Sequence, residues 1–276
     1  MKKAIKEKNI DGDKKNSKGN KKKKFKKAVI LFVIIGIAVI GMLFAKVIIP
    51  AQNATKKYNI AVKEYNNGAE KYNEVAEKAS LDNIDGLPTK ADTLGSVSES
   101  YFAVIKSLLN GNSKAKIKKD ISKLEEMSKM LAENAKVAEQ VTVPEEVWLI
   151  NRLQSVDGIK DIVPVTKDND PNGMLNKEDG YVSCVYFSYD KVDNSSVLGE
   201  NVIDKGTDCG GAVEIYGTLQ AAQNRVSYLA GFDNTILYSG SYAIVGTMVI
   251  RTSYLLTDEE QYNLTDAITR AVTKIE

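Results

Sequence analysis

Residues 28–45 read AVILFVIIGIAVIGMLFA, eighteen positions without a charge. Lys46 interrupts the run, and Val47, Ile48 and Ile49 carry it on to Pro50. At about 1.5 Å per residue, roughly 20 helical residues cross a hydrocarbon core of about 30 Å. The stretch therefore reads as a transmembrane helix over 28–49, and the architecture on either side follows from it. Lys46 lies near one end, where its ammonium can snorkel to the headgroups. The rival reading is a cleaved signal peptide. It fits less well, because the preceding tail is long, the apolar run exceeds the usual h-region and no A-x-A site follows cleanly.

The charge splits at this helix. Residues 1–27 hold 13 lysines against Glu7, Asp11 and Asp13, a net +10 in a chain whose total is +2, which leaves the remainder at −8. Lysines crowded on one flank predict that this flank is cytoplasmic, so residues 51–276 are expected on the outer side of the cell membrane as a single-pass, signal-anchored ectodomain. The tail has one aromatic, Phe25, and no arginine. Anionic lipid is its expected partner, and nucleic acid is not.

The chain contains no histidine. Serine–histidine and cysteine–histidine nucleophile pairs and imidazole zinc sites are thereby excluded. No catalytic motif takes their place, and a non-enzymatic protein is expected.

Residues 50–141 carry helical stripes. Tyr58, Val62, Tyr65, Ala69, Tyr72 and Ala76 recur at spacings of four and three, and so do Ile117, Ile121, Leu124, Ser128, Leu131, Ala135 and Ala138. Between them, Ser96-x-x-Glu99 reads as a capping box for a shorter helix whose apolar face would be Val97, Tyr101, Ile105 and Leu108, stopped near Gly111. Such stripes predict an antiparallel helical hairpin or bundle, a stalk beyond the membrane, with a homodimer as the other way to bury them.

Residues 142–276 change period. Helices are predicted over 145–156, over 219–230 and after a Thr257-x-x-Glu260 capping box. Strands are predicted over 159–166, 181–189, 212–217 and 242–252. The fold class is thus α+β: a transmembrane helix, a helical region, then a small antiparallel sheet with covering helices.

Several short runs carry a resemblance. They are Asp168–Gly173 (DNDPNG), Gly180-Tyr181 with Val185-Tyr186-Phe187, Gly206–Gly211 (GTDCGG) with Glu214-Ile-Tyr216, Tyr228–Asp233 (YLAGFD) and Gly246–Ser253 (GTMVIRTS). Together, over about residues 145–272, they resemble a set of membrane-anchored Gram-positive cell-surface proteins, some labelled extracellular-matrix-binding-like. The resemblance implies an envelope location and an anchor before the domain. It brings no established activity and no catalytic residues.

Three features invite chemistry. The loop 168–179 reads first as a plain turn, since Asp-Pro-Asn-Gly presets one. Its second reading is a twelve-residue calcium loop, with oxygens from Asp168, Asp170, Asn172, Asn176 and Asp179 and the Met174 carbonyl. Against calcium stand Pro171 at position four and an aspartate where a bidentate glutamate is usual. Cys184 and Cys209 fall in or beside neighbouring predicted strands, so a disulfide is expected, with two buried free thiols as the alternative. Gly206–Gly211 reads as a backbone turn before a strand, not a phosphate loop. Glu214, Arg225 and Arg251 read as solvated charges, with an ion pair or an anion site as the alternative.

The sequence demands no cofactor; calcium is the candidate. The leading expectation is an envelope binding module whose partner is another envelope protein or a wall polymer. The runner-up is an accessory subunit of a membrane-bound envelope assembly. A carboxylate- or calcium-dependent hydrolase comes third.

Overall fold

The structure, a computed structural model, describes residues 29–275. The expected lysine-rich tail over 1–27 falls outside them. The chain divides into two compact units. One is the chain up to Ala61 with Ser96–Lys123; the other is Val62–Gly95 with Leu124–Glu276.

In the first unit, α1 (residues 29–43), a π-helical turn (Phe44–Ile48) and the start of α2 (Ile49–Ala76) belong to one helical run of 48 residues, Val29–Ala76. Its apolar stretch is long and apolar enough to cross a membrane, and none of it is buried within the protein. The π turn has a cause in the sequence. Pro50 lacks an N–H, and its ring would press on the carbonyl of Lys46, four residues back. The Ile49 N–H bonds the Phe44 carbonyl, five residues back, which widens the helix where that ring arrives.

Helix α3 (Tyr101–Leu109) starts later than expected. Its N-cap is Ser100, whose Oγ accepts from the Ala103 N–H at 3.2 Å. The Ser96–Glu99 box does not form because Asn59 holds that segment. The Asn59 side chain accepts from the Val97 N–H (2.9 Å) and donates to the Val97 carbonyl and to Glu99 Oε1 (both 2.8 Å). Val97 is therefore not on the helix, and Val104 is its buried residue. In the second unit, Asn66 grips Leu94 and Asn73 grips Ala91 in the same two-bond manner, at 2.8–2.9 Å. Asn59, Asn66 and Asn73 are seven residues apart on α2, and each supplies a strand-like hydrogen-bond pair to an irregular segment that has no sheet neighbour among the described residues.

The second unit also holds the latter part of α4 (Lys114–Gln140), then α5 (Glu146–Gln154), α6 (Val202–Lys205), α7 (Leu219–Ala230) and α8 (Asp258–Thr273). Its five strands are β1 (Ile159–Pro164), β2 (Tyr181–Tyr189), β3 (Gly210–Tyr216), β4 (Tyr242–Val245) and β5 (Met248–Thr252). They form one antiparallel sheet in the order β1-β2-β3-β5-β4. The single strand expected over 242–252 is two. Val245 pairs with Met248 across a two-residue turn, Gly246-Thr247, and Gly246 takes φ 63°, as tight hairpins require.

Both sheet faces are covered, so all seven residues of β3 are buried. On one face, Cys184, Tyr186, Ala212, Tyr216 and Val249 pack with Ala221, Ala222 and Leu229 of α7. By strand alternation Val185, Phe187, Val213, Ile215 and Ile250 point to the other face. There α5 and α8 cover the sheet with buried Leu149, Leu153, Leu264 and Ile268.

The hairpin turn is also where the helical segments meet the sheet. Gly246 exchanges backbone bonds with Ser80, Thr247 N–H reaches the Val141 carbonyl (3.0 Å), and Thr247 Oγ1 accepts from the Val143 N–H (2.7 Å). A Cβ on Gly246 would stand 2.0 Å from the Val141 carbonyl oxygen. Gly246→Ala combines that clash with a left-handed backbone, and a loss of about 2 kcal/mol or more is expected. In thermal unfolding of the full chain this reads as a melting point lower by several degrees; an unchanged melting point would refute the close packing at this turn.

Candidate functional site

Glu214 sits in the middle of the central strand and is fully buried. Arg225 of α7 reaches it with Nε on Oε2 and Nη2 on Oε1, both at 2.8 Å. Arg251 of β5 donates Nη1 to Oε1 at 3.2 Å, and the Tyr216 hydroxyl donates to Oε2 at 2.8 Å. Each carboxylate oxygen thus accepts two bonds, which is the capacity of the group. Arg251 passes a further bond to Ser239 Oγ at 3.0 Å. Burial acts to raise the Glu214 carboxyl. Arg225, Arg251 and Tyr216 outweigh it and hold the group below the usual carboxylate range. The solvated reading of these three charges is overturned; they form a buried ion-paired cluster.

A cavity of about 370 Å³ opens beside the cluster, at the small end of ligand sites. Tyr181, Tyr216, Tyr228, Asn172, Asn224 and Arg225 line it, with Met174 and Asp179 completing the wall. The local fold aims these groups. A bulge between Tyr181 and Ser183 turns Tyr181 onto the α7 face, where its ring meets Tyr216 edge-on at 6.5 Å. Arg225 stacks over the Tyr228 ring, 5.4 Å from its centre. Arg225 therefore reaches the cavity already paired with Glu214 and braced by an aromatic face.

The loop 168–179 forms part of the wall. Asp170 spends its carboxylate within the loop and its neighbour strand: Oδ1 accepts from the Asn172 N–H (3.1 Å) and from the Tyr181 hydroxyl, and Oδ2 from the Leu175 N–H (2.8 Å). Asn172 Nδ2 donates to the Tyr186 hydroxyl at 3.2 Å. Gly173, Asn176 and Asp179 take left-handed φ of 61°, 57° and 55°, which shapes a compact turn. The Met174 carbonyl accepts from the Lys177 N–H at 3.2 Å. Asp168 is exposed and joins none of these bonds. Among the described residues, no three acidic or sulfur groups are grouped to hold a metal ion.

The expected disulfide is absent; Cys184 and Cys209 are free and buried. The register explains it. Cys184 pairs with Glu214, whereas Cys209 lies in the 3₁₀ turn just before Gly210, which pairs with Ser188, four residues and about 13 Å along β2 from Cys184 at roughly 3.3 Å per residue. Bridged Cα atoms lie within about 7 Å. Cys209 instead points its Sγ at the Gly206 carbonyl (3.2 Å). Burial raises the Cys184 thiol, and Glu214 beside it raises it further; burial carries Cys209 to about 11. Gly206–Cys209 is a 3₁₀ turn leading into β3, which begins at Gly210, so the run is a turn before a strand, as expected. A Cβ on Gly211 would sit 2.3 Å from the Arg251 carbonyl oxygen, so the paired glycine lets β5 approach.

A larger cleft, about 770 Å³, lies between residues 82–85, β4 and α8, with Asp82, Asp85, Tyr238, Tyr242, Asp258 and Tyr262 among its walls. Tyr242 donates to Asp233 at 2.7 Å; burial and that bond push it to about 12. No protein-family model, curated protein or solved structure matches the chain.

Glu214→Gln leaves two buried guanidiniums short of a counter-charge, and a loss of about 3–5 kcal/mol is expected. The pH dependence follows the same sign. A carboxyl lowered in the folded state stabilises fully above its unfolded value, about 4.3, and the contribution fades as pH falls through the lower folded value. Thermal melts should therefore separate wild type from Glu214→Gln above about pH 4.3 and converge in acid; parallel curves would contradict the assignment. For the loop, Asp170→Ala is expected to cost about 1.5–3 kcal/mol in chelator. A loss seen only with added calcium would make the loop a metal site instead.

Proposed function

We propose that the protein is a membrane-anchored, extracytoplasmic binding module of the cell envelope, and that its tyrosine-lined cavity receives a sugar ring of a wall polymer. The observation that supports this most is the chemistry of the cavity wall. The Tyr228 ring offers an exposed apolar face with a polar rim, the buried Tyr181 and Tyr216 rings form the floor with their hydroxyls held by Asp170 and Glu214, and Asn172 and Asn224 offer amides for hydroxyl groups. Arg225 is already held by Glu214, and Asp179 adds negative charge, so a charged anion is a poor fit. Ionised side chains tied up in one another do not act as a general acid or base, which favours binding over turnover.

The anchor reading draws on the long apolar helix; the lysine asymmetry in the sequence orients it with residues 51–276 outside. The envelope setting agrees with the resemblance of the short motifs. In the helical region, we read the buried stripes Val62, Tyr65, Ala69, Tyr72 and Leu131, Ala135, Ala138 as the packed seam of a hairpin, with Lys71 and Glu139 paired at its surface (3.6 Å).

The full-length protein in detergent is expected to cosediment with purified Gram-positive wall sacculi. Tyr228→Ala should weaken this about tenfold, equivalent to about 1.4 kcal/mol, without lowering the melting point. No cosedimentation, or retention unchanged in Tyr228→Ala, would refute the cavity as the binding site.

A further inference from the structure

Helix α3 is built inside out for a water-facing helix. Its sequence is YFAVIKSLL, yet Val104 is its buried residue. Phe102 is 79 % exposed and Leu109 82 % exposed. Positions 102, 105 and 109 fall on one helical face, so Phe102, Ile105 and Leu109 form an apolar stripe, with Tyr101 exposed beside it. Large apolar side chains grouped in this way mark a contact surface.

Two observations in the same unit say what covers it. The first is position. The Tyr101 ring packs on Phe44, 5.1 Å between centres, and α3 contacts the π turn Phe44–Ile48. That turn is the end of the apolar run, where Lys46 appears, so α3 starts at the level where a spanning helix leaves the hydrocarbon. Aromatic rings concentrate at that level. The second is charge. Helix α4 opens KAKIKK, and Lys114, Lys116, Lys118 and Lys119 are exposed. Lysine clusters next to a membrane helix attract anionic headgroups.

We propose that α3 is an interfacial helix. It lies in the outer leaflet of the membrane that residues 28–49 cross, with Phe102, Ile105 and Leu109 in the acyl boundary and the α4 lysines on anionic headgroups. Lys106 reaches the headgroups along its own aliphatic stem. The proposal rests on the membrane-spanning reading of the apolar helix and adds a second, shallow attachment. One spanning helix leaves the first unit free to tilt; a helix seated beside it removes that freedom.

The test uses the full chain reconstituted in phosphatidylglycerol–phosphatidylcholine vesicles, with Trp148→Phe removing the native tryptophan. Phe102→Trp is then read by quenching with lipids brominated near the headgroup or near the bilayer centre, and by aqueous iodide. Expected is strong quenching by the shallow bromines and weak quenching by iodide. Replacing Lys114, Lys116, Lys118 and Lys119 with Gln, or omitting phosphatidylglycerol, should reduce the bromine quenching about twofold. Quenching by iodide alone overturns the proposal. Shielding from both quenchers also overturns it, in favour of a protein contact or a second copy. Ile37→Trp, read in parallel, separates the two claims. Lipid quenching at position 37 with neither shallow nor deep bromines quenching 102 sinks the interfacial helix alone; no lipid quenching at 37 sinks the spanning helix itself.

Discussion

Four hydrogen bonds converge on the Glu214 carboxylate, and the sheet unit is organised around them. A lone carboxylate in that position would be very costly to bury. It is tolerable because Arg225 arrives from α7, Arg251 from β5 and Tyr216 from its own strand. A cluster of this kind is a weak source of net stability, since apolar residues of like volume would serve as well or better. What it contributes is position. Slipping β5 by one residue would turn Arg251 to the opposite face, and sliding α7 would withdraw Arg225. The same two arginines therefore set the register of the sheet and the seating of the helix that walls the tyrosine cavity.

Much of this fold was legible in the chain. Residues 181–189 and 219–230 read correctly as a strand and a helix, and the Thr257–Glu260 capping box forms as expected. Each is a local signal. The errors came where tertiary contacts decide. The apolar run over 242–252 hid a hairpin because its turn, Gly246-Thr247, has a weak polar signature and sits in a wholly buried setting. The Ser96–Glu99 box lost to Asn59, which is remote in sequence. The pairing of Cys184 with Cys209 failed on register, which two isolated strand predictions do not supply.

The site was less legible than the fold. Glu214 lies among apolar neighbours in GGAVEIY, and that setting was the available hint that it is buried. Its partners lie 11 and 37 residues away on different elements. The asparagines at 59, 66 and 73 fall one step from the tyrosine stripe. A seven-residue recurrence of one amide on a helix was the signal that could have found them. Asp170 occupies a calcium-loop position by spacing; the structure directs its oxygens to the loop's own N–H groups and to Tyr181. Acceptor-rich sequence suits a cation and a turn equally well, and folding settles which donors are near.

The most direct measurement is the titration of the Glu214 carboxyl carbon by NMR, in protein labelled at glutamate and assigned with Glu214→Gln. The carboxyl is expected to stay ionised below the ordinary glutamate value of about 4.3 until the fold itself is lost in acid. A carboxyl titrating at or above that value would mean that burial prevails over the two arginines. The cluster would then not be the charged anchor of the sheet and its cavity.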